Sequence, residues 1–412
     1  MPRIRERGAS NCEIAPFTEQ ASVGRAVISL RKDFFRHNLS TTFHLGTSPV
    51  TRSEIPLSVT APAVIDHGVR PPHRHLVGIG ELPPRDIFRI LLLRPNHRLG
   101  NTLLLTPLLT ELERRYPGAE IDLVTGCEAA DDVFAGFRQV RHIHQLTRRP
   151  GHHPLHLLLT LLRLRRNRYD LAIDSTRGSR SGRLLLFLSG ARYLLGLPDS
   201  KRELRDGGIA WQAALAKAPE HFSLDGVYAL RCAMGLSFTD NADAWPLLRI
   251  QLRAEEQACG RALLADLLGH APDGDRKVIA LFPNATGNKR LSGDWWLALV
   301  DALAATHPQL RFIEMLPAHG QSQLQLRFPA FYSSNVRRMA AVLAQCDGYI
   351  SADCGVMHLA CAAGVPTLGF FTRNNLIRYR PRGPRDEALC VADRTPAEVA
   401  AAADSFIRAL SD

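Results

Sequence analysis

The sequence contains no Gly-x-Gly-x-x-Gly and no P-loop pattern. A nucleotide-dependent oxidoreductase built on Rossmann halves, or a P-loop nucleotidase, therefore lacks its phosphate-binding signature. No run of 18 uninterrupted apolar residues is present, so no segment reads as a membrane-spanning helix. The first residues, Met1-Pro-Arg-Ile-Arg-Glu-Arg7, lead into no apolar stretch and do not read as a secretory signal. The eight cysteines form no Cys-x-x-Cys pair, and 412 residues are too many for a disulfide scaffold. Reduced thiols in a cytoplasmic protein are the simplest account, with Cys127, Cys346 and Cys361 as small core residues. Cys354 and His358 have i, i+4 spacing, but no second pair of ligands stands near them, so the expectation is no metal.

Acidic residues are scarce where basic ones crowd. The formal net charge is +11. Between Arg138 and Arg183 stand eleven Arg, five His and no Lys, with only Asp170 and Asp174 as acids. Such a field favours anionic partners: nucleotides, phosphorylated glycolipids, an anionic membrane surface or nucleic acid. Aromatic residues are not interleaved with these arginines, which argues against a single-strand nucleic-acid platform. A solvated basic face is the bland alternative. Within this stretch Leu155 to Leu164 is apolar and is bounded by Arg163, Arg165, Arg166 and Arg168. It reads as a buried helix end or as an interfacial helix dipping into lipid headgroups, and core is the more frequent outcome for so short a run.

Three regions divide the chain. Residues 1–86 are rich in Pro, Ser, Thr and His without sustained apolar period, and read as a disordered or loosely attached extension, with one short helix over Val27–Phe35. From residue 87 to about 245, apolar strand-like runs alternate with helical ones: strands at Phe88–Leu93, Ala119–Thr125, Val140–Leu146, Tyr169–Asp174 and Tyr193–Gly196, with helices at Leu103–Tyr116, Leu155–Asn167 and Ser181–Leu188. Pro107 either kinks the first of these helices or marks its start, with Thr106 as N-cap. Residues 200–276 read as mainly helical, with the connection between domains near Ala242–Ile250. A second alternation over residues 246–412 has strands at Lys277–Phe282, Leu310–Leu316, Gly348–Ile350 and Thr367–Phe371. Its helices are Asp294–Thr306 with Ser292 as N-cap, Asn335–Gln345, a helix from about Gly355, and Ala397–Leu410. Two such alternations predict an α/β protein of two Rossmann-like domains with parallel sheets.

Three turns at predicted strand ends carry the candidate chemistry, because ligands of open α/β sheets bind there. The first is Arg94-Pro-Asn-His-Arg-Leu-Gly-Asn-Thr102, whose signal alone is weak. The second is Phe282-Pro-Asn-Ala-Thr-Gly-Asn-Lys-Arg290, where Gly287 permits close backbone approach, Thr286 offers a hydroxyl and Lys289 a cation suited to diphosphate. The third is Ser351-Ala-Asp-Cys-Gly-Val-Met-His358, where Asp353 ends a strand and Cys354 and Gly355 open a helix whose unpaired N–H groups can hold phosphate. His358 adds an imidazole, and Gly364-Val-Pro366 stops the helix.

Leu99-Gly-Asn-Thr-Leu-Leu-Leu-Thr-Pro107, the Gly287–Lys289 loop, and Asp353-Cys-Gly-Val-Met-His-Leu-Ala360 with Ala363-Gly-Val-Pro366, in this order, resemble glycosyltransferase family 9. These are the bacterial lipopolysaccharide heptosyltransferases and their relatives. The resemblance covers about residues 87–410. It implies a GT-B architecture, with an acceptor domain at 87–245, a donor domain at 246–412 and the active site in the cleft between them. It implies inverting transfer of a sugar, heptose among the options, from a nucleotide-diphosphate donor to a lipopolysaccharide-type or other anionic glycan acceptor. By position, Thr286, Gly287 and Lys289 would meet the donor diphosphate. Asp353 would hydrogen-bond sugar hydroxyls, and Cys354 and Gly355 would offer N–H groups, with His358 nearby. An ADP-sugar is the expected donor and no cofactor is implied. The fixed cation and helix dipole would replace a metal, and no Asp-x-Asp follows any of the three turns. The arginine-rich stretch suggests Arg177 and Arg180 as acceptor contacts, since guanidinium forks suit phosphate and carboxylate. It also suggests an enzyme peripheral to the inner membrane face.

One position departs from the pattern. Relatives with established heptosyl transfer usually have Asp where this chain has Asn101, and an amide cannot take up the acceptor proton. Asp174 and His97 are the nearest other candidates for a base by strand-end position. Otherwise the acceptor is activated differently, or the chain is a nucleotide-sugar or glycan-binding protein without turnover. Leu310–Leu316 leads into Pro317-Ala-His-Gly320 where a Gly-x-x-x-Glu-like segment is usual, so Glu314 does not carry over as a nucleobase contact.

Overall fold

The computed structural model describes residues 76–148, 154–177, 179–198, 208–236, 245–271 and 276–410. The expected helix at Val27–Phe35 and most of the expected extension lie outside the described residues, which all belong to one compact unit spanning Arg70–Asp412.

The first lobe holds β1 (Arg89–Arg94), β2 (Glu120–Thr125), β3 (Val140–Gln145), β4 (Leu171–Asp174) and β5 (Tyr193–Gly196). Its helices are α1 (Leu99–Leu103), α2 (Thr106–Arg115), α3 (Ala130–Phe134), α4 (Pro154–Arg166), α5 (Arg180–Leu188), α6 (Gly208–Leu215) and α7 (Asp225–Ala233). The strands run parallel in the order β3-β2-β1-β4-β5. Buried on both faces, β1 reads as the apolar run Ile-Leu-Leu-Leu that a covered parallel strand requires. Pro107 does not kink one long helix. It sits in the first turn of α2, after the separate α1, and the N-cap is Leu105 rather than Thr106. The ordered lobe starts before residue 87: Val77 and Leu82 are buried in its core, and the Val77 N–H donates to Leu194 O at 2.8 Å.

The second lobe holds α8 (Ala254–Leu268), β6 (Lys277–Phe282), α9 (Gly293–Thr306), β7 (Leu310–Met315), β8 (Ala330–Phe331) and α10 (Val336–Leu343). It continues with β9 (Gly348–Ala352), α11 (Gly355–Ala363), β10 (Thr367–Phe371), α12 (Leu376–Tyr379), β11 (Glu387–Cys390), α13 (Pro396–Ala402) and α14 (Asp404–Arg408). The strand order is β11-β10-β9-β6-β7-β8, again parallel. Ser292 caps α9 by accepting from the Trp295 N–H, as its position predicts, and Asn335 caps α10 in the same way through Arg338. The C-terminal segment forms two helices, broken at Ala403, rather than one. The short edge strands β8 and β11 have no clear counterpart in the sequence pattern. Of three apolar clusters, the largest runs through both lobes, joining Leu92, Leu104 and Leu108 to Val342, Met357 and Leu359.

Candidate active site

In each sheet the strand order reverses at one point, and the loops leaving the two central strands diverge there to open a crevice. In the first lobe these strands are β1 and β4, and in the second β6 and β9. Every sequence-predicted site residue falls beside one of these strand ends. His97 and Asn101 follow β1, while Asp174, Arg177 and Arg180 end or follow β4. Thr286, Gly287 and Lys289 follow β6, and Asp353, Cys354, Gly355 and His358 follow β9.

The second lobe brings its set together closely. Lys289 Nζ stands 2.6 Å from Asp353 Oδ2, and the same oxygen accepts from Asn375 Nδ2 at 3.0 Å. Asp353 is buried, so the ion pair and the amide together satisfy a carboxylate that water barely reaches. The loop carrying Lys289 is a single 3₁₀ turn over Gly287–Lys289 entered from Thr286, and Thr372 Oγ1 pins it by donating to Asn288 O at 3.1 Å. Gly287 has φ +63° and open space where a side chain would project. Beside it, α11 begins after the extended Cys354, and no side chain caps it by hydrogen bond. Its first N–H groups have no capping side chain and face the Cys354 thiol, which lies against those of Val356 and Met357. Burial pushes the Cys354 thiol up, so the group nearest these N–H groups is uncharged.

The two lobes meet here. A Cβ on Gly100 would lie 2.8 Å from His358 Cδ2 and 3.2 Å from Gly355 Cα, so α1 and α11 touch through two glycines and a buried imidazole. Burial drives the pKa of His358 well below its ordinary value and Lys289 pushes the same way, against the pull of Asp353. The imidazole is neutral at physiological pH.

On the first-lobe wall, Asn101 lines a small cavity with Arg94, Ser175, Phe222, Ser223 and Gly226. Arg94 is buried, donates to Thr176 Oγ1 at 2.7 Å, and lies 4.5 Å from the centre of the Phe222 ring. Burial lowers its pKa to about 10, which leaves it charged. Arg378 of the second lobe lies 4.8 Å from the same ring and forks onto Asp225 at 2.6 and 3.2 Å. Phe222 also stacks on Tyr379. Asp174 is buried, accepts from the Thr176 N–H at 3.0 Å and packs against Gly182. Arg177 is partly exposed, 3.8 Å from Asp225, while Arg180 is exposed at the start of α5. His97 is exposed, its Nδ1 2.7 Å from Gly126 O.

Asn375, Phe222 and Arg378 are additions that motif reasoning misses. Asn375 and Arg378 follow β10, a strand visible in the sequence, so the strand-end rule already marks their loop. Phe222 belongs to a short turn with no comparable signal. Glu314 is fully buried and accepts from Ser322 Oγ and the Gln323 N–H, so it holds the loop after β7 together. The one Asp-x-Asp of the chain, Asp273-Gly-Asp275, precedes β6 and lies outside the described residues. Among the described residues no group of three or more His, Cys, Asp or Glu is placed to hold a metal ion.

Residues 160–406 match the model of glycosyltransferase family 9 (heptosyltransferase). The chain belongs to this family. Its two-lobed architecture is similar to that of a family 9 glycosyltransferase from Veillonella parvula, with a TM-score of 0.61 at 16% identity over 80% of this chain and 99% of the other. The E. coli ADP-heptose lipopolysaccharide heptosyltransferase II gives a TM-score of 0.55 at 17% identity, covering 79% of this chain and 98% of that one. E. coli heptosyltransferase WaaC with ADP gives 0.55 at 17%, covering 78% and 100%. These likenesses establish the GT-B fold for this family 9 glycosyltransferase. No curated protein sequence matches it.

Proposed function

We propose that this family 9 enzyme is an inverting, metal-independent transferase. In this reading it moves a sugar, heptose or a close relative, from an ADP-sugar to an anionic glycan or glycolipid acceptor of lipopolysaccharide type. The observation that carries the reading is the Lys289–Asp353 pair beside the uncapped N-terminus of α11, at the crevice where the second sheet reverses. The donor diphosphate draws Lys289 Nζ and the first N–H groups of α11, while Asp353, held by Asn375, accepts from the sugar hydroxyls. The acceptor oxygen attacks the anomeric carbon from the first-lobe side as the bond to the diphosphate breaks, which inverts the configuration in one displacement. Negative charge grows on the departing ADP, and the cation and helix dipole are already placed to stabilise it. The solved relatives whose names carry ADP or ADP-heptose support ADP as the nucleotide. In this reading buried Arg94, beside Asn101, and exposed Arg177 and Arg180 supply positive charge to the acceptor side.

Calorimetric titration with ADP and ADP-sugars tests this reading. Lys289→Ala removes one charged hydrogen bond and is expected to weaken ADP binding by about tenfold to a hundredfold. Absence of binding by every nucleoside diphosphate and nucleotide sugar tried would sink it. Asn101 favours a second reading, a binding protein without turnover. Donor binding with no acceptor-dependent release of ADP across a broad acceptor panel would establish that alternative.

A further inference from the structure

The face of the first lobe away from the catalytic contacts carries an unusual surface. In α4 the inward residues Thr160 and Leu164 are buried, and Leu161 packs beside them against Leu91, Leu93 and Val124 of the sheet. The sequence is apolar on the other side as well. Leu155, Leu158, Leu159 and Leu162, spaced i, i+3, i+4, i+7, form an outward stripe with exposures of 67, 52, 46 and 49%. In α5, Leu185 and Leu186 enter the same core, while Leu184 and Phe187 face out. Arg165 Nε donates to Leu188 O at 3.0 Å, which ties the C-terminal ends of the two helices together. Six of the twelve exposed large apolar side chains among the described residues lie on these two helices. Soluble monomers rarely leave so concentrated an apolar patch uncovered.

Charge selects the occupant. Neither helix contains an acidic residue, and exposed Arg163, Arg165 and Arg166 follow the leucine stripe at its C-terminal end. We propose that the outer face of α4 and α5 docks on an anionic lipid bilayer. The leucines and Phe187 enter the boundary between headgroups and acyl chains, and the arginines reach lipid phosphates from long apolar stems. This surface is distinct from the cleft, and its test does not depend on sugar transfer.

Flotation of the full chain with vesicles tests the proposal. The protein is expected to float with an equal mixture of phosphatidylcholine and phosphatidylglycerol, far less with phosphatidylcholine alone, and less as salt rises. The paired change Leu158→Ser with Leu162→Ser lowers the partition coefficient by on the order of tenfold or more. Arg163→Gln with Arg166→Gln lowers it by about tenfold. All four positions are exposed, so the thermal midpoints stay near wild type, which separates lost docking from lost fold. No flotation with the anionic mixture, or equal flotation of the leucine variant, overturns the proposal. So does a dimer in sedimentation equilibrium that the leucine changes dissolve, because the face then belongs to a second copy of the chain.

Discussion

At the scale of single residues, the open question of the cleft is which group takes the acceptor proton. Asn101 lines the small first-lobe cavity, but its amide offers only a weakly basic oxygen. Asp174 is buried and already accepts from the Thr176 N–H. His97 differs from both. A carbonyl oxygen can only accept, so Nδ1 carries the proton in the contact with Gly126 O, and Nε2 is the nitrogen of this exposed residue left to exchange one with an acceptor. His97→Gln is therefore expected to lower kcat by roughly 10²- to 10⁴-fold with donor affinity unchanged, read from steady-state kinetics. An unchanged kcat would place the base elsewhere. Asn101→Asp supplies a carboxylate beside the cavity, and is expected to raise kcat and add a limb to the pH–rate profile in the carboxylate range.

At the scale of elements, the contact of α1 with α11 joins the two lobes. Gly100 and Gly355 are each visible in the sequence as turn or helix-start residues. Their meeting is not, because it depends on how two lobes pack. Gly100→Ala would push a methyl into a buried His358 ring and the Gly355 backbone. Overpacking of this kind costs about 1–3 kcal/mol. Urea denaturation should show that loss, and calorimetry a weaker ADP affinity. A variant with wild-type stability and affinity would show that the lobes part freely there. The leucine run of α4 makes a similar point. Its length and composition favour core, and Leu161 and Leu164 do pack inward. Yet a helix between one sheet face and solvent has only one face to bury, so Leu155, Leu158, Leu159 and Leu162 remain outside.

At the scale of the whole molecule, the lobes are tied by groups whose protonation matters. His221 bridges them, with Nε2 2.9 Å from Arg380 O, and burial lowers its pKa to about 4. His358 at the lobe contact is lowered by burial too. In the unfolded chain both titrate near their ordinary value of about 6.5. Between about 4 and 6.5 the unfolded chain therefore binds protons that the folded chain refuses, and stability falls as pH drops through that window. The limit is about 1.4 kcal/mol per pH unit for each histidine. Asp225, Glu314 and Asp386, whose carboxyls burial pushes up, act in the opposite sense, so the informative quantity is a difference. Thermal midpoints from pH 7 to pH 5 should fall less steeply in His221→Gln than in wild type, and equal slopes would refute the assignment.

The sequence alone determined the alternation of strands and helices, the residue types at each strand end, and the excess of arginine. Those properties follow from local periodicity and composition, which need no knowledge of neighbours in space. The tertiary structure decided the strand orders that make β1/β4 and β6/β9 the switch points, and the closure of Lys289 on Asp353. It also decided the meeting of Gly100 with Gly355, the gathering of Arg94 and Arg378 at the Phe222 ring, and the choice of which leucines face water. Each of these joins residues far apart in the chain, and long-range packing, rather than any local pattern, sets their distance.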